Sequence, residues 1–298
     1  MMFTPLSGQE RAEGMALAEA QAYCRRLARS HYENFTVGSW FLPRWALQHT
    51  YNIYAYCRTV DDLGDEAAGD RLALLDQWEE DVHRCYMGDP RHPVLLALQE
   101  TIRQYDIPSE PFLKLIEANR TDQRQARHPT YADLLHYCDH SANPVGHLVL
   151  YLFGYRDQER QALADRTCTA LQLANFWQDV NRDYKIGRIY LPQEDMARHG
   201  YSESDLAAGR YDERFANLLR ELVGRTRDLF AQGLPLVSRV DRRLAVDIEL
   251  FSRGGLEILR RIELQNYNVL ARRPQLDRES KALLLASTLL RHVFRRPT

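Results

Sequence analysis

The sequence predicts a single all-α domain that spans residues 1–298. Apolar residues recur at helical spacing along most of the chain. From Phe215 onward, for example, they form one stripe of an amphipathic helix. Glycine and proline breakers separate these runs, and we find no strand-like alternation, internal repeat or flexible linker. Together these observations favour one domain of roughly ten packed helices.

The helical patterns follow one another with short breaks. They run through residues 71–86, 94–105, 112–118, 215–230, 244–270 and 280–294. The breaks fall at residues 88–90, 107–109, 128–130, 187, 200 and 273–274. Two breaks also carry start signals, because Ser109 precedes a proline in the first turn and Thr130 precedes another helical run.

Composition narrows the class of protein. The net charge of -2 lacks the basic excess that a nucleic-acid partner requires. Five cysteines with no C-x-x-C pair predict free thiols in a reducing cytoplasm, without disulfides or a zinc site. Residues 1–13 lack the pattern of a signal peptide, and the apolar stretch 144–155 is too short to cross a bilayer. We expect a cytoplasmic protein. A peripheral contact with the inner face of the membrane stays open, although a solvated helix end explains the basic C-terminus better.

Two segments each carry a pair of aspartates four positions apart, Asp61/Asp65 and Asp179/Asp183. On a helix this spacing puts both carboxylates on one face, about 6 Å apart along the axis. Like charges so placed repel each other and favour a bound cation. Mg²⁺ suits such hard oxygen donors and typically takes one or two carboxylates plus substrate phosphates.

A solvated helix face is the alternative, since charged residues at this spacing usually lie in water. The neighbouring residues are apolar and aromatic, however, and we expect them to be buried. Buried carboxylates are costly unless they are paired or bound to metal. We therefore predict that the two pairs face each other across one deep cavity and hold a diphosphate through several Mg²⁺ ions. The apolar neighbours are Tyr51, Ile53, Tyr54, Ala55, Tyr56, Cys57 and Val60, then Leu171, Leu173, Ala174, Phe176, Trp177 and Val180.

These motifs resemble those of the squalene/phytoene synthases, the head-to-head branch of the all-α isoprenoid synthases, over nearly the whole chain. The resemblance implies an isoprenoid (terpenoid) synthase fold with a central active-site cavity, a Mg²⁺ requirement and prenyl diphosphate substrates. The matching patterns are Tyr54-x-x-x-Arg58-x-x-Asp61-Asp62-x-x-Asp65-Glu66, Gln172-x-x-Asn175-x-x-x-Asp179-x-x-x-Asp183, and Gly187-Arg188-Ile189-Tyr190-Leu191-Pro192.

Three details resemble one branch, the hydroxysqualene synthases of bacterial hopanoid biosynthesis. Residues 31–35 (HYENF) replace a serine-rich motif, residues 143–146 (NPVG) replace a small-residue run, and Gln178 stands where most relatives have arginine. The branch implies a carbon–oxygen lyase that ionises presqualene diphosphate and adds water to give hydroxysqualene. It also implies a handoff from a presqualene diphosphate synthase.

Under this resemblance the metal ligands are Asp61, Asp65, Asp179 and Asp183, directly or through water. Asn175 lies one turn before Asp179 and can add its amide oxygen. Asp62 points about 100° away from Asp61. Its alternative role is an ion pair with Arg58, four positions earlier.

The remaining candidate residues concern the substrate. Arg58 and Arg188 are candidates for diphosphate contact; Arg188 lies in a segment that looks mobile, whereas Arg58 can instead orient the aspartates. Gln172 extends the second acidic face, and the loss of an arginine at Gln178 reduces charge there. The family also places diphosphate contacts around His31 and Asn34. Tyr54, Tyr137 and Tyr267 are candidates for stabilising carbocations, with ordinary core packing as the alternative.

The water that quenches the cation needs a polar partner. Asn143 offers an amide that can hold a water, and Pro144 would interrupt a continuing helix there. The alternative is that Asn143 only satisfies a carbonyl freed by the proline. Tyr137, one to two turns earlier, is the next candidate.

Two other functions stay open. One is a farnesyl diphosphate farnesyltransferase that makes presqualene diphosphate or squalene. The absence of a G-x-G-x-x-G fingerprint does not exclude it, since reductive relatives bind NADPH without one. The other is a non-catalytic helical assembly factor, against which the four intact aspartates argue.

Overall fold

A computed structural model of the protein describes residues 15–30 and 42–294. In this part of the chain there are thirteen α-helices, one short 3-10 helix and no β-strand beyond an isolated bridge between Arg127 and Ile189. The predicted all-α class is confirmed. The helices are α1 Leu17–Ser30, α2 Arg44–Asp65, α3 Arg71–Met87, α4 Pro93–Tyr105, α5 Glu110–Arg124, α6 Tyr131–Ser141, α7 Asn143–Leu152, α8 Gln158–Lys185, α9 Gln193–Arg198, α10 Glu203–Ala207, α11 Glu213–Gly233, the 3-10 helix Leu234–Ser238, α12 Arg242–Leu264 and α13 Arg278–Phe294.

Local chemistry sets several helix ends where the sequence predicts them. Thr130 caps α6 in a capping box with Asp133, in which each side chain bonds the backbone of the other residue. Helix α3 ends at Met87 and is capped by Gly88, whose φ of 99° is the left-handed conformation that glycine adopts without strain. The break at Ala142 separates α6 from α7, so Pro144 lies in the first turn of a new helix.

The predicted helix over residues 244–270 is too long, because α12 ends at Leu264. Asn266 and Tyr267 follow with positive φ values of 50° and 65°. The Tyr211 hydroxyl donates a hydrogen bond to the Asn266 carbonyl at 2.6 Å. No glycine or proline marks this stop, so local sequence signals did not reveal it.

The described residues form two compact units. The first takes the chain up to Arg124 together with Pro144–Asp157, and the second takes Gln125–Asn143 and the chain from Gln158 onward. The single domain over 1–298 stays a prediction.

Each unit has a core of its own. In the first, a buried polar network joins α2 to α4, where Asn52 donates to the Ala97 carbonyl at 2.9 Å and to Thr101 at 3.0 Å. In the second, the indole of Trp177 on α8 donates to Thr226 on α11 at 2.8 Å. These contacts hold the helices that carry the acidic motifs.

All five cysteines are free thiols, as the sequence predicts. Cys24, Cys85 and Cys138 are buried. Burial raises the pKa of the Cys24 and Cys85 thiols to about 12 and that of Cys138 further. Among the described helices, none combines the length and apolarity needed to cross a membrane.

Candidate active site

The first acidic motif lies along the accessible stripe of helix α2. Tyr54 and Arg58 are half-buried on this stripe, and Asp61 and Asp65 are exposed. The predicted burial is confirmed for five of the seven apolar neighbours, whereas Tyr54 and Cys57 are half-buried. The predicted burial of these carboxylates is wrong, because the stripe turns them away from the core. The buried neighbours include Tyr51, Ile53, Ala55, Tyr56 and Val60.

Asp61 is accessible to solvent, yet its pKa is raised to about 7. Desolvation is the largest cause, the Asn119 amide 3.5 Å away opposes it, and the charge of Asp65 adds to it. A carboxylate whose charged form is disfavoured, with a second carboxylate one turn away, favours a bound cation.

Arg58 pairs with acids of its own motif. Its Nη2 lies 2.5 Å from Asp62 Oδ1 and 2.6 Å from Glu66 Oε1. The alternative reading of Asp62 as an ion-pair partner therefore fits better than metal ligation. For Arg58 the contacts favour orientation of the motif over a free guanidinium that waits for diphosphate.

Helix α5 supports this motif through residues that sequence reasoning missed. Asn119 packs so closely on Gly64 that a Cβ there would collide with its side chain. Gln123 donates to the Gly64 carbonyl at 2.8 Å. Gly64 thus permits the close approach that brings an amide to Asp61. The signal was a glycine inside a helical pattern, which often marks close packing.

The second acidic motif follows the accessible stripe of helix α8. Asn175 is exposed, and Gln172, Asp179 and Asp183 are half-buried. The predicted placement of these residues on one face is confirmed. The flanking residues that fill the core are Leu173, Ala174, Phe176, Trp177 and Val180.

Asp179 has a strong partner in Arg273, a residue that the sequence places only at a predicted break between helices. Arg273 Nε lies 2.5 Å from Asp179 Oδ1, and its Nη2 lies 2.7 Å from Oδ2. Such a two-pronged, charge-assisted pair is among the stronger interactions that a carboxylate makes in proteins. Metal ligation by Asp179 stays a prediction, and a metal would have to compete with Arg273 for this carboxylate. The charge missing at Gln178 is supplied from Arg273.

The segment after α8 makes several hydrogen bonds to neighbouring parts of the chain. Gly187 has a φ of 85° and lets the chain turn, so that the Arg188 amide donates to the Asp183 carbonyl at 2.9 Å. Arg127 donates to the Gly187 carbonyl at 2.6 Å, and the Ile189 amide donates to Ala126 at 3.0 Å. These bonds hold the backbone of Arg188 at the carboxyl end of α8, next to Asp183.

The three candidate tyrosines differ in setting. Tyr137 is buried, with its ring centroid 6.2 Å from Phe176 and 5.7 Å from Tyr190. Tyr54 is half-buried, and desolvation raises the pKa of its hydroxyl. Tyr267 lies beneath the Arg220 guanidinium, 5.0 Å from its ring centroid. The Tyr267 ring therefore already makes a cation–π contact with Arg220. This contact favours ordinary packing over carbocation stabilisation for this residue.

Asn143 is buried and uses both ends of its amide. Its Nδ2 donates to Asp139 at 2.7 Å, and its Oδ1 accepts from Thr169 at 2.9 Å. These contacts tie α6 to α8. Neither sequence-based reading of Asn143, as a water holder or as a partner for a freed carbonyl, anticipates them.

The residues fit a Mg²⁺-dependent site. Within the described residues no three acidic, histidine or cysteine side chains are gathered into one metal-binding group. Each motif nevertheless offers two carboxylates one turn apart, which is the usual protein share when phosphate and water complete the shell. In the second pair, Asp179 must share with or release Arg273 before it can bind a metal. The ligand assignments stay predictions, and His31 and Asn34 lie outside the described residues.

Comparison with known proteins agrees with the family resemblance of the two acidic motifs. The family described as squalene/phytoene synthase matches residues 28–280. The 15-cis-phytoene synthase of Synechococcus elongatus is 33% identical over 294 residues, covering 93% of this chain and 94% of the relative. The phytoene synthase of Thermus thermophilus is 33% identical over 266 residues, covering 89% and 91%.

Two solved structures are similar over most of the chain. The squalene synthase HpnC from Alicyclobacillus acidocaldarius superposes with a TM-score of 0.83 at 49% identity, covering 85% of this chain and 96% of that one. A dehydrosqualene synthase in complex with ligand gives a TM-score of 0.85 at 26% identity, covering 92% and 97%.

Proposed function

The chain belongs to the squalene/phytoene synthase family, and we propose that it converts presqualene diphosphate and water into hydroxysqualene and diphosphate. The family has the isoprenoid synthase fold, and its members act on prenyl diphosphates with a divalent metal. The observation that carries the finer proposal is the resemblance of residues 31–35, residues 143–146 and Gln178 to the hydroxysqualene synthases. The 49% identity with squalene synthase HpnC, against 33% with the phytoene synthases, supports only the coarser choice of the squalene-related side of the family.

The reaction begins with loss of diphosphate, which leaves with the electron pair of its carbon–oxygen bond. Asp61 and Asp65 of the first motif, and Asn175, Asp179 and Asp183 of the second, are the residues that would hold Mg²⁺, which would supply positive charge to stabilise the departing diphosphate. Arg273 contacts Asp179 of the second motif, and Arg188 follows that motif in the chain. Both guanidinium groups carry donors in a fixed fork geometry that suits diphosphate oxygens. Arg58 keeps the first motif oriented through Asp62 and Glu66.

The carbocation must then react with a single water molecule, and bulk water must be excluded. The oxygen of that water forms the new carbon–oxygen bond, and its proton leaves to the diphosphate or to solvent. Because the Asn143 amide is engaged at both ends, Tyr137 is the better candidate for holding the water. The aromatic cluster of Tyr137, Phe176 and Tyr190 offers π-faces to the cation.

The second candidate is a prenyltransferase that couples two prenyl diphosphates. The names of the relatives favour it, since the curated ones are phytoene synthases and the similar structure is titled a squalene synthase. The acidic motifs serve both reactions, so they do not discriminate. A non-catalytic assembly factor is disfavoured because both motifs keep their accessible carboxylates.

Product analysis tests the proposal. Purified protein is incubated with presqualene diphosphate and Mg²⁺ in ¹⁸O-labelled water, with and without NADPH, and the products are analysed by mass spectrometry. We expect labelled hydroxysqualene in both cases. Squalene that forms only with NADPH, or turnover of farnesyl or geranylgeranyl diphosphate alone, would assign the chain to the second candidate. The Asp61→Asn variant serves as the inactive control.

A further inference from the structure

The loop of residues 265–277, which joins α12 to α13, lies against the second acidic motif in an unusual conformation. Two consecutive residues, Asn266 and Tyr267, have φ values of 50° and 65°. This conformation is uncommon for an asparagine and strained for a residue with a bulky side chain. Such a loop needs contacts that hold it, and strain of this kind clusters at functional sites.

Two amide side chains of α8 supply those contacts. Gln178 is buried, and its Nε2 donates to the Pro274 carbonyl at 2.5 Å. Asn181 Nδ2 donates to the Leu270 carbonyl at 3.1 Å. The two anchored carbonyls lie on either side of Arg273. Because Gln178 directly precedes Asp179, the helix that carries the carboxylate also holds the loop that carries its cation.

We propose that Gln178, assisted by Asn181, is a positioning residue that holds Arg273 on Asp179, and that this pair makes the second motif resist metal until a diphosphate arrives. The inference rests on the proposed assignment of Asp179 to metal. A divalent ion must compete with a guanidinium that makes two short bonds to the same carboxylate. An incoming diphosphate offers that guanidinium another anion with matching geometry, so metal and diphosphate are expected to bind together.

A purely structural role for Gln178 makes a different forecast. A buried glutamine that only stabilises the fold would affect unfolding and leave metal binding unchanged. The chain offers a matched control in Gln99, which is also buried and donates its Nε2 to a backbone carbonyl, that of Cys85, at 2.6 Å. Gln178→Met and Gln99→Met remove the same kind of bond, one beside Asp179 and one in the core of the first unit.

Mn²⁺, which prefers the same oxygen ligands as Mg²⁺, allows binding to be read by electron paramagnetic resonance without turnover. In the absence of diphosphate, we expect Arg273→Gln and Gln178→Met to bind Mn²⁺ about threefold to tenfold more tightly than the parent protein. In a second titration, both variants should bind inorganic diphosphate more weakly at fixed Mn²⁺. Gln99→Met should match the parent in both titrations.

The outcomes separate the parts of the argument. If Gln178→Met behaves as Gln99→Met does while Arg273→Gln shifts both titrations, Gln178 does not position Arg273. Unchanged binding in Arg273→Gln overturns the competition with metal. If Gln178→Met does not fold, Asn181→Ala loosens the other anchor and must shift Mn²⁺ binding in the same direction. With inorganic diphosphate present, Asp179→Asn that binds Mn²⁺ as tightly as the parent does would refute the metal assignment itself. None of these readouts depends on which product the enzyme makes.

Discussion

Asp61 and Asp247 show how the same side chain takes different roles in different settings. Desolvation raises the pKa of both, to about 7 for Asp61 and about 8 for Asp247. Asp61 is accessible and has Asp65 one turn away, whereas Asp247 on α12 is buried. Neither oxygen of Asp247 has a hydrogen-bond partner among the described residues. The environment of Asp61 favours binding of a cation, whereas burial of Asp247 mainly lowers the free energy of unfolding.

Asp61→Asn should lower turnover by roughly a hundredfold or more, because the amide no longer helps to neutralise the departing diphosphate. The fold should stay intact, and the melting temperature should rise slightly, since repulsion from Asp65 is removed. Steady-state rates at saturating Mg²⁺ and a thermal melt measure both effects. Near-parental turnover would remove Asp61 from the site.

Asp247→Asn should stabilise the protein at neutral and higher pH. The folded-state pKa of about 8 lies above the value of 3.8 expected in the unfolded chain, so folding favours the protonated form. The stability associated with this proton is full below about pH 4 and is lost as the pH rises to about 8. We expect a gain on the order of a few kcal/mol at pH 8 and almost none at pH 4.

Urea denaturation of the parent protein and Asp247→Asn at the two pH values measures this difference. Asp241→Asn would be a poor comparison, because Asp241 caps α12. Asp106, at the exposed end of α4, offers a better control and should show no such pH-dependent gain when changed to asparagine. Equal stabilisation by both substitutions would contradict the assignment to Asp247.

At the scale of the element, Asn143 at the break between α6 and α7 is a structural joint. Asn143→Ala should lower the free energy of unfolding by about 1–3 kcal/mol, because it leaves Asp139 and Thr169 without their partner. The product should stay the same. Thr169→Val removes one of the two bonds and should cost less. The double variant should cost less than the sum of the single ones, since both share that bond. A changed product ratio in Asn143→Ala would instead return this residue to the quench.

Elements were predictable to different degrees. The helices with strong apolar stripes and clear breakers, such as α3 and α11, follow from the sequence because periodicity and capping are local. The end of α12 does not, because Tyr211 and the α8 amides hold the left-handed turn from distant parts of the chain. The Arg273–Asp179 pair could not be predicted from the sequence for the same reason, because a bond between residues 94 positions apart leaves no local pattern.

The acidic motifs show a second limit of prediction from sequence, which concerns the exposure of side chains. Their composition correctly indicated buried neighbours, and their spacing correctly placed the carboxylates on one face of each helix. Which way that face points is decided by tertiary packing. The sequence therefore identified the stripes and misjudged the exposure of the residues on them.

At the scale of the whole molecule, the two motifs belong to different compact units, and their opposition across one cavity stays a prediction. If both hold the same diphosphate, Asp65→Asn and Asp183→Asn should each reduce the melting-temperature rise caused by Mg²⁺ and inorganic diphosphate. The double variant should then lose little more than either single one, because either change already breaks the shared site. Independent, additive losses would indicate two separate anion sites.

The distribution of the thiols gives the protein a built-in reporter of its own opening. Cys24 and Cys85 lie in the first unit and Cys138 in the second. Because the thiolate is the reactive form, thiols with such high pKa values resist alkylation while they stay buried. Each thiol can be modified only when its surroundings open locally, so the labelling rate of each cysteine measures how often that region opens. Mass spectrometry of iodoacetamide-treated protein could therefore follow the two halves separately, with and without ligand, in one unmodified chain.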